Sequence, residues 1–168
     1  METTASKTKV VKDLKEKSIL VAREFDAPVS MVWRCHTEKE LLDQWWGPQP
    51  WRAETKHMDF KPGGFWLYAM VGPEGERHWG RMNYITIETQ KHFDMEDVFC
   101  DENGNVNSGL PVSKGRMKFT KTATGTLVEF KTIYSSEEDV MKLVEMGFEA
   151  GITICMDQLA AMLKNNKF

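Results

Sequence analysis

The feature that most constrains this chain is a change of hydrophobic period near its C-terminal end. From Trp51 to Ser135 the apolar residues alternate with polar ones in short runs punctuated by Gly, Pro, Asn and Asp. From Glu137 to Asn165 they recur at helical spacing through Val140, Val144, Phe148, Gly151, Cys155, Leu159 and Met162. Strands joined by short turns predict an antiparallel meander, and an amphipathic helix has one apolar stripe to bury. The two together predict an α+β domain: a strongly curved sheet wrapped on a C-terminal helix. The concave face of such a sheet is too wide for backbone alone to fill, so large side chains or a ligand must fill it.

The individual runs carry this reading. Ser18 to Asp26 is a strand candidate with Ile19, Val21 and Phe25 on one face. Pro28 suits the first turn of a helix, and Val29, Val32, Trp33 and His36 fit one helical stripe. Glu38 to Trp45 reads as a second short helix, ended by Gly47, Pro48 and Pro50. Strands are then predicted over Trp51 to Phe60, Phe65 to Val71, Glu76 to Glu88, His92 to Cys100, Gly115 to Thr122 and Thr126 to Ser135. Asp101 to Gly109 is a polar loop with an Asn-Gly turn. Ser135 to Asp139 resembles a helix capping box, and Gly147 is a place where the terminal helix can break in two.

With 168 residues the chain fits one domain over residues 18–165, preceded by a charged leader over residues 1–17. Val10, Val11 and Leu14 lie at helical spacing in that leader, which allows a short amphipathic helix. Lys plus Arg number 22 against 25 Asp plus Glu, a net charge of −3 that argues against a nucleic-acid binder. No apolar run approaches the roughly 20 residues of a membrane span, and the N-terminus lacks the apolar stretch of a signal peptide. The three cysteines, Cys35, Cys100 and Cys155, form no C-x-x-C pair and read as reduced thiols in a cytoplasmic protein. His36, His57, His78 and His92 fall in no metal-binding spacing, and no phosphate-binding or nucleophile-elbow motif occurs, so no metal, cofactor or catalytic residue is assigned.

The order of elements and several dispersed motifs resemble the SRPBCC superfamily, the START-like or helix-grip fold. Within it the chain is similar to the C-terminal domain of activators of the heat-shock chaperone ATPase. The resemblance runs from Ser18 to Leu163. It is carried by Arg23-Glu24-Phe25-Asp26-Ala27-Pro28 with Val32-Trp33, by Leu41 with Trp45-Trp46-Gly47-Pro48, and by Pro62-Gly63-Gly64 followed by Trp66, Tyr68 and Met70. Gly72-Pro73-Glu74-Gly75-Glu76, Gly80 and the segment Met146 to Gly151 complete it. The resemblance implies a hydrophobic cavity between the sheet and the C-terminal helix. Its members include lipid and hormone carriers, cyclases and co-chaperones, with no universal catalytic residue to carry over.

Period two puts Trp66, Tyr68 and Met70 on one face of a strand, and Met82 and Tyr84 on one face of the next with Gly80 in parity. From the helix, Phe148, Gly151, Cys155 and Leu159 would face them. These nine residues either line a soft aromatic pocket for an apolar small molecule or form an ordinary filled core. Gly151 either opens space or permits close packing. Trp45, Trp46 and Trp51 cap the core, form a lid, or offer a partner-binding patch. Three functions follow as expectations: binding of a hydrophobic small molecule without assigned catalysis, a co-chaperone-like interaction with a heat-shock chaperone, or a cyclase or hydrolase. The last would need an acid or base in the cavity, from among Tyr68, Tyr84, His78 and Glu129.

Overall fold

The computed structural model describes residues 7–165. The first six residues of the charged leader lie outside them. The sheet has eight strands: β1 (Lys9–Asp13), β2 (Ser18–Phe25), β3 (Arg52–Met58), β4 (Phe65–Val71), β5 (Arg77–Glu88), β6 (His92–Cys100), β7 (Ser113–Lys121) and β8 (Thr126–Tyr134). Helices α1 (Val29–Thr37) and α2 (Lys39–Trp45) follow β2, and α3 (Glu137–Glu145) and α4 (Phe148–Asn165) close the chain. The strand order is β1-β2-β8-β7-β6-β5-β4-β3, every pair antiparallel. The meander therefore runs unbroken from β3 to β8, and β2 returns beside β8.

The segment around Val10 and Val11 is a strand, not a helix. A helix this short gains little from its few internal hydrogen bonds. The free edge of β2 instead offers a full ladder of backbone partners, and Lys9–Asp13 takes it in register with Ala22–Ser18.

Two register shifts, between Thr55 and His57 in β3 and between Tyr84 and Thr86 in β5, bend the sheet at its far edge. The concave face carries Ile19, Val21, Phe93, Met95, Met117, Val128 and Phe130, all buried. Helix α1 lays Trp33 edge-on against Phe60, Phe93 and Phe119, with ring centroids 5.8, 5.8 and 5.0 Å away.

The terminal helical stretch is divided. Gly147 adopts φ +85°, a conformation that favours glycine, and separates α3 from α4. Ser136 caps α3 by accepting a hydrogen bond from the Asp139 amide at 3.1 Å. Helix α4 buries Ile152, Cys155, Met156, Leu159 and Leu163 against the layer below. It is tied to β2 by Arg23, a buried guanidinium paired with Asp157. Among the described residues no helix is long and apolar enough to cross a membrane.

Candidate functional site

Helix α4 packs on α1, α2 and β2, and a cavity of about 520 Å³ opens on its other side against β4, β5, β6 and β8. Three devices in the sequence create it.

The first is a pair of glycines. Gly80 lies opposite Tyr68 across the β4–β5 ladder, and a Cβ on Gly80 would sit 2.9 Å from the Tyr68 hydroxyl. The missing side chain lets the Tyr68 ring lie flat over β5. Gly151 lines the cavity from α4, where a Cβ would meet only Pro48 at an ordinary 3.6 Å. Close packing of the helix does not require it, so its effect is to leave volume open.

The second is the corner after α2. Trp45 is core, its indole N–H donating to the Cys35 carbonyl at 2.8 Å. The chain then turns at Gly47, where φ is +131° and a Cβ would lie 2.8 Å from the Arg52 backbone. Trp46 and Trp51 are thereby set into the cavity wall, Trp46 edge-on to Trp66 at 5.7 Å and Trp51 against His78 at 5.5 Å. Gln158 of α4 pins this corner: its amide donates to the carbonyls of Trp45 and Gly47 at 2.9 and 2.8 Å, and its oxygen accepts from the Gln49 amide at 3.0 Å.

The third is an acid on β6. Phe93, Met95 and Asp97 share one face, and where the first two are core, Asp97 lines the cavity. Its register partners are Met82 and Ser113. Among the described residues its carboxyl has no hydrogen-bond or ion-pair partner. Burial, and secondarily the neighbouring Glu96, pushes it up to about 7. Burial, with Asp97 second, also pushes the Tyr68 and Tyr84 hydroxyls well above the ordinary tyrosine value. Among the described residues the buried Tyr84 hydroxyl has no hydrogen-bond partner.

Of the nine residues singled out from the sequence, Tyr68, Met70, Phe148, Gly151 and Cys155 line the cavity. Trp66, Met82, Tyr84 and Leu159 are buried beside it, with exposures of 1, 3, 2 and 0 %. The division follows position along the strands. Near Trp66 the sheet closes on the α2 corner and side chains fill the space. Further along β4 and β5, Met70 and His78 line the cavity. Cys155 accepts from the Gly47 amide at 3.3 Å, and burial pushes its thiol up to about 11, so it is a packing group here rather than a nucleophile. Of the candidate acid–base groups, Tyr68 and His78 line the cavity, whereas Glu129 alternates with the inward-facing Val128 and Phe130 and points to the other face.

Sequence reasoning missed Asp97 and the far wall formed by Phe130, Thr132 and Tyr134 of β8. A signal for Asp97 was present: an acid at period two behind Phe93 and Met95 is placed on the buried face.

A curved antiparallel sheet gripping a C-terminal helix over an apolar cavity defines a START-like, helix-grip protein. The chain belongs to the family of activator of Hsp90 ATPase homolog 1-like proteins, whose family model matches residues 26–164. Among solved structures it is similar to protein Ms6760 from Mycobacterium smegmatis, with 32% identity, 93% of this chain and 96% of that chain covered, and a TM-score of 0.86. A protein from Arthrobacter aurescens gives 33% identity, 94% and 91% coverage and a TM-score of 0.88. Protein NE0264 from Nitrosomonas europaea gives 27%, 90%, 97% and 0.78. Comparison with functionally curated proteins gives no match.

Proposed function

We propose that this protein binds an apolar small molecule in the cavity between the sheet and α4. The observation that carries the reading is the space itself: about 520 Å³, within the range of small-molecule sites, walled by Trp46, Tyr68, Met70, Phe130 and Phe148. Protein interiors otherwise pack closely, with few voids larger than a water molecule, so an apolar space of this size stands out from the filled core beside it. The wall suits a ligand of varied shape, since Met70 and Met146 are adaptable and the aromatic rings offer broad apolar faces. The free, largely buried cysteines support placing the protein in a reducing compartment, the cytoplasm.

Gly151→Leu tests the reading. A leucine there projects into the cavity without meeting backbone, so the variant is expected to fold and to lose ligand. Native mass spectrometry of the purified protein, with organic extraction of whatever it carries, should show a bound apolar molecule on the wild type and none on the variant. Equal loading of both would remove the cavity as the site.

Family membership supports a second reading, interaction with a heat-shock chaperone. A pull-down and an ATPase-stimulation assay with a purified chaperone of that class test it, and absence of both effects would remove it.

A further inference from the structure

The cavity wall is chemically lopsided. Among the described residues its lining holds one carboxyl, Asp97, and neither lysine nor arginine. A fatty acid or any other anionic amphiphile would enter opposite an acid, with no lysine or arginine among the described lining residues to receive it and His78 as the one basic side chain, and burial makes such a meeting costly. A cation would meet the reverse: a carboxyl without a partner among the described residues, in a wall that also holds the aromatic side chains of Tyr68, Phe130 and Tyr134. The buried, unpartnered Tyr84 hydroxyl, close enough to Asp97 to feel its charge, is a second polar group lacking a bonding partner beside this spot.

On the reading that the cavity binds a small molecule, we propose that its ligand is an amphiphilic amine. The ammonium group pairs with Asp97, and the apolar body lies along the wall formed by Trp46, Met70 and Phe148.

The charged and titratable groups around Asp97 are Tyr68 from β4, Tyr84 and His78 from β5, Glu96 on its own strand, Tyr134 from β8 and Cys155 from α4. Burial raises the three tyrosines and Cys155 further from ionisation, so they stay neutral between pH 5 and 8. An amine therefore binds best once Asp97 has lost its proton. Its affinity falls as pH drops through 7, while that of a neutral alcohol of equal length does not.

The test compares decylamine, decanol and decanoate, each below its aggregation concentration, by isothermal titration against the whole protein and Asp97→Asn. At pH 8 the wild type is expected to bind decylamine about tenfold or more tightly than decanol, a difference worth about 1.4 kcal/mol, with decanoate weakest. In Asp97→Asn the amine preference should collapse while decanol binding persists, which also separates Asp97 from His78. Should that variant fail to fold, the wild-type ratio of amine to alcohol affinity, measured from pH 8 to pH 5, gives the same answer by declining about tenfold in all as pH falls through 7, and a ratio unchanged over that range would overturn the proposal. Equal binding of all three, or tightest binding of decanoate, would overturn the amine proposal and leave the cavity reading intact. No binding of any of the three would overturn both.

Discussion

Two buried residues push the acid response of this protein in opposite directions. Asp97 is raised by burial from 3.8 to about 7, so the fold holds a proton that the unfolded chain has released. Its contribution is fully present below pH 3.8 and is lost as pH rises through 7. His36 is the reverse. It is buried against Trp45 and Phe119, its Nδ1 lies 2.8 Å from the Val32 carbonyl, and burial pushes it down from 6.5 to about 4. Its stabilising contribution is present above pH 6.5 and is lost as pH falls through 4. The two slopes oppose each other over much the same window. Asp97→Asn removes one of them, so we expect the variant to be more stable than wild type at pH 8, by about 1–3 kcal/mol. Below pH 6.5 its stability should then decline more steeply. Urea unfolding at pH 4.5, 6 and 8 checks this, and parallel curves for the two proteins would refute it.

Between the elements, the contact that matters most for function is Gln158 of α4 against the Trp45–Gln49 corner. Three hydrogen bonds converge on one side chain there. Gln158→Ala should cost about 1–3 kcal/mol, since it leaves backbone groups of the corner unpaired. It should also loosen Trp46 and Trp51 in the wall, seen as faster ligand exchange in a stopped-flow tryptophan signal. Unchanged exchange would show that the corner does not gate the cavity. Ser136→Ala, which strips the cap from α3, should cost about 1 kcal/mol by thermal unfolding and leave ligand affinity unaltered.

The same scale shows what was legible in the sequence. The strand Phe65–Val71 and the break at Gly147 follow from local pattern, because alternation and a glycine in left-handed geometry are properties of neighbouring residues. Lys9–Asp13 did not follow, because its strand character is supplied by the edge of β2 and not by its own spacing. Trp66 and Tyr68 share a face by period two, and their rings stack at 4.3 Å. That Trp66 is core and Tyr68 cavity wall depends on where the cavity lies along the strand, which no local period encodes. Asp97 shares the parity of Phe93 and Met95, which places it on the buried face, but that it borders a cavity and not filled core is set by residues of β8, α3 and α4 far away in sequence.

Across the whole molecule, the excess of large soft side chains, 11 Met and 6 Trp, is divided between two tasks. Trp45, Trp66, Met95, Met117 and Met156 fill the deep end of the grip, while Trp46, Trp51, Met70 and Met146 line its open end. The filled end holds the sheet on α4, and the open end is the space the proposed ligand would complete. A protein built this way gains stability when the space is occupied, by about 2.7 kcal/mol at a ligand concentration 100 times the dissociation constant. The most direct test is therefore a thermal unfolding titration of the wild type and Gly151→Leu with decylamine at pH 8. A melting temperature that climbs with ligand for the wild type and stays flat for Gly151→Leu is the predicted result; flat curves for both, or equal climbs, would contradict the account.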